Sequence, residues 1–297
     1  MTRTTPAEPP PPTGTERPES LARRRPVATF LLLALGIGWP VLAVPAIGGL
    51  PFEPFLLVLV YVALLGSALL VTRWADGPGA ARRLLRRTLA WRVGVGRWAV
   101  VVLAMPVLTL AVAAVSGTLQ DSERSWLAAT GFYLFDILVF GALLLNLWEE
   151  TAWGGFVQSR LMAGHGLFLG SLLTAPAFAA VHVPLLFEPG WTWSEVAGGL
   201  ALLFGLAPVY RYLLGMHLLD TGGSVLVIAV QHASWNTATR MDEVDGSWQA
   251  VVAVVVLTVA LAVHRRVRRS GRPTGVEAEE AAARTWLAPA AQASQQH

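Results

Sequence analysis

Long apolar runs separated by short polar breaks dominate the chain. They fall at about 28–48, 53–72, 98–117, 127–160, 168–187, 196–216, 222–238 and 248–264. At a rise of about 1.5 Å per residue, each is close to the length that carries a helix across a hydrocarbon core of roughly 30 Å. The pattern therefore predicts an all-α, polytopic membrane helix bundle of about eight transmembrane helices, with its body over residues 27–266. Residues 1–26 and 267–297 are polar and rich in Pro, Ala or charge, and are expected to be disordered tails. Between the second and third runs, ARRLLRRTLAWRVGVGRW sets arginines beside Leu and Trp, as in an amphipathic helix lying on an anionic lipid surface.

Composition sharpens this reading. Of the 297 residues 54% are hydrophobic and only 14% charged, against about 25% charged in soluble domains. A secreted globular enzyme, a DNA-binding module and a β-barrel porin are excluded, and no basic stripe points to nucleic acid. With no cysteine, disulfides, thiolate nucleophiles and Cys-ligated metals are excluded too. All 22 basic residues are arginine; with abundant Ala, Gly and Pro this is the usage of a GC-rich bacterial genome. Short cytoplasmic loops retain positive charge. Placing the N-terminus inside collects Arg23 to Arg25, Arg73, Arg82 to Arg97, Arg160 and Arg265 to Arg272 on one side, and leaves only Arg124 and Arg240 on the other. The expected location is a bacterial inner membrane, multi-pass, with both termini cytoplasmic.

Ionisable groups inside a bilayer cost at least about 2.5–3.5 kcal/mol each on insertion scales and demand a reason. Glu149 and Glu150 lie in the fourth run, which has no convincing turn before Gly164-His165-Gly166. His182 lies in the fifth, and His232 and Asn236 in the seventh. Counted along straight helices, Glu149, His182 and His232 each sit roughly 16–18 Å deep. Taken singly, the glutamates could mark a helix end, and either histidine could be interhelical hydrogen-bonding glue. Taken together, two carboxylates, two imidazoles and an amide at one depth are the parts of a hydrolytic site. Asp136 is expected to bond a neighbouring helix, Arg211 to snorkel to the interface, and His165, His217 and His264 to be interfacial. Trp153 and Trp235 are candidates to line a cleft.

Three segments carry a family resemblance. EETAWGGFVQSRL resembles the first motif of the CAAX-processing and bacteriocin-immunity intramembrane proteases, the CPBP or Abi family; FAAVH resembles the second, and HASWN the third. The resemblance covers about 127–238. It implies an intramembrane endopeptidase acting on membrane-associated peptides or proteins, with Glu149, Glu150, His182, His232 and Asn236 catalytic. Glu149 and His182 would activate water, Glu150 would tune its neighbour, and His232 and Asn236 would stabilise the oxyanion. No cofactor is required on this reading, although Glu149, His182 and His232 also suit a zinc ion. The partners expected are the lipid bilayer and a membrane peptide, unprenylated if the source is bacterial.

The chain departs from the family at one point. Four residues after the second glutamate, where the family usually has arginine, stands Gly154. Without a local cation the glutamate pair is expected to hold about one negative charge, and Gly154→Arg to be tolerated. The same absence supports the alternative of an inactive immunity or scaffold protein of the same fold. A transporter using the cluster as a proton relay is the third reading; no inverted repeat supports it.

Overall fold

The computed structural model describes residues 20–122, 124–269 and 275–288. Apart from one isolated bridge between Leu119 and Val244, the described residues are helical or in loops. The elements are α1 (Pro26–Gly48), α2 (Glu53–Asp76), α3 (Ala80–Thr88), α4 (Val95–Ser116), α5 (Trp126–Leu186), α6 (Trp193–Asp220), α7 (Val225–Ala238), α8 (Trp248–Arg269) and α9 (Val276–Leu287). Among the described residues six stretches, α1, α2, α4, α5, α6 and α8, are long and apolar enough to cross a membrane.

Helix ends follow local chemistry. Ser125 and Ser224 cap α5 and α7 through their side-chain oxygens, and Thr192 with Glu195 forms a reciprocal capping box on α6. The fourth and fifth runs form one 61-residue helical stretch, α5, which is divided at Gly166, inside the expected turn. Gly166 has φ 72° and ψ −178°, a region essentially reserved for glycine. The break folds α5 into two arms. They cross so closely that a Cβ on Gly170 would lie 2.7 Å from the Met162 backbone.

Two expectations about element length change. The seventh run is a helix of only 14 residues, α7, too short to count among the six. Most of its residues are nevertheless buried, because α4, α5 and α6 surround it. The C-terminal segment is not a loose tail throughout. Residues 276–287 form α9, which packs along α5 with Trp286 and Leu287 against the core. The Glu279 carboxylate accepts the Leu167 backbone N–H, freed by the break at Gly166, at 3.2 Å, and Arg284 Nε donates to the Ala163 carbonyl at 2.9 Å. These contacts explain why a polar segment orders: it caps a helix N-terminus that would otherwise be open. The expected tail over 1–26 lies outside the described residues as far as 19; from 20 on the chain is described and α1 begins at Pro26.

The arginine-rich α3 lies beneath α9. Arg87 donates to the carbonyls of Gly155 and Gly223 (both 3.3 Å) and to Ser159 Oγ (2.9 Å), with its guanidinium 5.0 Å from the Trp286 ring centroid. Burial, and then the nearby Arg160 charge, push the Arg87 guanidinium down to about 10.

Three stretches, Leu59–Gly66, Asp136–Asn146 and Thr151–Gln158, wind as π-helix. The last two flank the short α-helical piece Leu147–Glu150. Wider turns leave backbone carbonyls without their usual partners, and side chains take up two of them: Ser159 Oγ donates to Gly154 O at 2.7 Å, and Arg87 to Gly155 O. The core runs behind this segment, where Trp153 meets the edges of Phe30 and Phe178 at 5.6 and 5.8 Å.

Candidate active site

Neighbouring residues on a helix project about 100° apart, so Glu149 and Glu150 serve different partners. Glu149 Oε1 lies 3.4 Å from His182 Nε2, and Asn146 Nδ2 donates to Glu149 Oε2 at 3.4 Å. Glu150 is fully buried and turned inward. Its Oε1 and Oε2 accept from Arg211 Nη1 at 2.8 and 3.0 Å, and His232 Nδ1 lies 3.0 Å from Oε1. The glutamate pair, expected to lack a local cation, has one at Glu150.

Arg211 is the correction that matters most. Expected to snorkel to the interface, it is instead fully buried. Beyond Glu150, its Nε and Nη2 both donate to Gln158 Oε1, with Nε at 2.9 Å, and Gln158 Nε2 donates back to the Arg211 carbonyl at 2.7 Å. Its guanidinium carbon stands 5.1 Å from the centre of the Phe178 ring. A Cβ on Gly154 would meet Ile228 Cδ1 at 2.2 Å, Glu150 Oε2 at 2.9 Å and Arg211 Nη2 at 3.6 Å. The cation missing at 154 is thus supplied from α6, and the space for one at 154 is already filled. Gly154→Arg, expected to be tolerated, would have to displace the ends of the Ile228 and Glu150 side chains.

The ring nitrogens fix the tautomers. His182 Nδ1 faces the Phe178 carbonyl at 2.7 Å, and must carry hydrogen there, since a carbonyl only accepts. In the neutral ring Nε2 is then a lone pair facing a carboxylate oxygen, so one proton is shared between Glu149 and His182. His232 Nδ1 likewise gives its hydrogen to Glu150, leaving Nε2 a donor only in the imidazolium. Asn236 Nδ2 donates to Asn146 Oδ1 at 3.4 Å, which links α7 through Asn146 to Glu149.

The five expected site residues therefore gather around one centre, in two linked groups. A cavity of about 300 Å³ is lined by three of them, His182, His232 and Asn236, with Tyr210, Trp235 and leucines of α6. Trp153 does not line it; it is fully buried. His217, expected at the interface, is also fully buried. Asp136 behaves as expected, accepting from Thr237 Oγ1 at 2.7 Å and Arg240 Nη2 at 3.2 Å on the α7 side. Asn146, Gln158, Arg211 and Tyr210 are participants that sequence reasoning did not assign. A lone Asn in LLLNLWEE and a Gln following GGFV were the available signals.

His182 Nδ1 and His232 Nδ1 are committed to Phe178 and Glu150, which leaves Nε2 of each ring as the nitrogen that could reach an ion, with His182 Nε2 3.4 Å from Glu149 Oε1. Among the described residues no group of three or more His, Cys, Asp and Glu side chains is disposed to hold a metal ion.

Comparison with curated proteins gives no match. Comparison with protein families gives one over residues 130–238, the family described as Rce1-like, type II CAAX prenyl endopeptidase Rce1-like. The matched segment runs from α5 to the end of α7 and contains all five expected site residues. This chain is a multi-pass helical membrane protein whose residues 130–238 match the Rce1-like family, consistent with the CPBP resemblance of its three motifs.

Proposed function

We propose that the protein is an intramembrane endopeptidase of the CAAX-protease type in which Glu149 activates the hydrolytic water. The observation carrying the proposal is the division of labour between adjacent carboxylates. Glu150 is paired with Arg211, while Glu149 lies against His182, which lines the cavity, and accepts weakly from Asn146. Glu149 takes a proton from water as the resulting hydroxide attacks the scissile carbonyl carbon, then returns it to the leaving amine as the C–N bond breaks. His182 holds Glu149 in place and shares its proton. Asn236 and the imidazolium form of His232 donate to the oxyanion, a task for which one donor contributes on the order of 3 kcal/mol.

The inactive-scaffold alternative rested on the missing cation at 154, and Arg211 removes that support. The substrates proposed are membrane-associated peptides or proteins. The test is hydrolysis of membrane peptide reporters by the reconstituted protein, beside Glu149→Gln. Turnover by the wild type that vanishes in the variant supports the reading; equal turnover, or none from either, overturns it.

A further inference from the structure

The cavity beside His182, His232 and Asn236 has a direction. Three helices wall it, and along each of them exposure changes the same way. On α5, Phe178 is buried while His182 and Leu186 are partly exposed. On α6, Tyr210 and Ala207 are buried, Leu206 and Leu203 are partly exposed, and Leu202 is 50% exposed. On α7, His232 is buried while Trp235 and Asn236 are partly exposed. Phe178, Tyr210 and His232 thus form a closed floor, with Leu186, Leu202 and Asn236 at the mouth.

Floor and mouth face opposite charge. The helix ends on the floor side are held by arginines: Arg97 and Arg265 both pair with Asp220 at the end of α6, Arg87 donates to the Gly223 carbonyl just before α7, and Arg284 donates to the Ala163 carbonyl near the elbow of α5. The segments 187–195 and 239–247 on the mouth side carry Glu188, Glu195, Asp242, Glu243 and Asp245 against Arg240. Positive charge is retained on the cytoplasmic side, so the floor faces the cytoplasm and the mouth faces outward. Leu202 lies roughly 14 Å along α6 from Trp193, which sets the mouth within the hydrocarbon of the outward half.

Resting on the endopeptidase reading, we infer that the protein takes its substrates from the outward half of the bilayer: apolar segments of membrane-inserted peptides whose scissile bond lies between the midplane and the outer surface. Leu186, Leu202, Leu203 and Leu206 line the way from the mouth to His232 and offer no side-chain hydrogen-bonding group. They suit apolar side chains flanking the bond. A peptide held in the cytoplasm meets the closed floor.

The chain has no cysteine, so single cysteines report access in the full-length protein. Leu203→Cys and Leu206→Cys, two separate positions on the α6 wall, are treated with a membrane-impermeant maleimide in spheroplasts and in inside-out vesicles. Val256→Cys, exposed on α8 and outside the cavity lining, controls for labelling through lipid, and Arg83→Cys marks the cytoplasmic face. Both cavity cysteines are expected to label in spheroplasts and to lose labelling in inside-out vesicles, with the reverse at Arg83→Cys. Cavity labelling from the cytoplasmic side, or no more labelling from outside than at Val256→Cys, overturns the outward opening.

A single-span membrane reporter inserted in both orientations then locates the cut by mass spectrometry. The wild type is expected to cut in the outward half of the reporter helix in both orientations, and Glu149→Gln not at all. A cut in the cytoplasmic half overturns the substrate class alone. No cut by the wild type overturns the endopeptidase reading and the substrate class with it, while the labelling still decides which way the cavity opens.

Discussion

Arg211 on α6 and Glu150 on α5 form a fully buried pair, with Arg211 Nη1 at 2.8 and 3.0 Å from the two carboxylate oxygens, sixty-one positions apart in the chain. The pair explains how two consecutive glutamates coexist in an apolar bundle. One carboxylate is paired internally with Arg211, and the other lies against His182 and Asn146.

Removing Arg211 alone should be damaging. Arg211→Met leaves Glu150 buried and uncompensated, at an expected cost of about 3–5 kcal/mol. Glu150→Gln in the same background should recover part of that loss. Denaturation of the purified variants in detergent measures both.

Gly154→Arg should be destabilised, because its Cβ alone would meet Ile228 Cδ1 at 2.2 Å and its charge would arrive beside Arg211. Combining it with Arg211→Ala and Ile228→Ala opens the space and removes the competing cation. That triple variant should be more stable than Gly154→Arg alone by thermal midpoint. An unaffected single variant contradicts the relocation of the cation to α6.

At the elbow of α5, Gly166→Ala is expected to cost about 1–3 kcal/mol from its backbone conformation, beyond a contact of 2.7 Å between the new Cβ and Val276 Cγ1. The variant should loosen α9, so limited proteolysis after residue 275 should accelerate. Unchanged cleavage there contradicts α9 as a support of the elbow.

Much of the site was legible in the sequence because intramembrane polar residues are rare. Glu149, Glu150, His182, His232 and Asn236 stood out from apolar runs, and counting rise per residue placed three of them at one depth. Arg211 was misread because a long cationic side chain near a run's end usually snorkels; its true partner lies on another helix, where one-dimensional spacing gives no information. His217 was misplaced because its burial among neighbouring helices leaves no trace in one-dimensional spacing. The π-helical turns around Leu147–Glu150 arise from packing rather than from a local pattern, so their effect on which face Glu149 presents could not be counted out. α9 was missed because its order comes from Leu167 and Ala163, whose backbone groups its side chains engage.

Topology gives a prediction independent of catalysis. With both termini inside, reporter fusions at Asp121, Pro189 and Asp242 should map outside, and those near Arg83, His165 and the C-terminus inside. A C-terminal reporter mapping outside contradicts the arginine argument and the even number of crossings it requires.

Chelation separates two chemistries that use the same residues. If Glu149 and His182 activate water without a metal, activity should survive exhaustive treatment with a membrane-accessible chelator. Loss on treatment with recovery specific to zinc transfers water activation to a bound ion.

In the proposed mechanism Glu149 performs the proton transfer while Glu150 stays bonded to Arg211. The most direct measurement is single-turnover hydrolysis of a membrane peptide reporter by reconstituted wild type, Glu149→Gln and Glu150→Gln, with folding of each verified by thermal midpoint. The account predicts a folded Glu149→Gln without detectable turnover, and a Glu150→Gln whose thermal midpoint falls because Arg211 has lost its counter-charge. A folded Glu149→Gln that cleaves at the wild-type rate contradicts it.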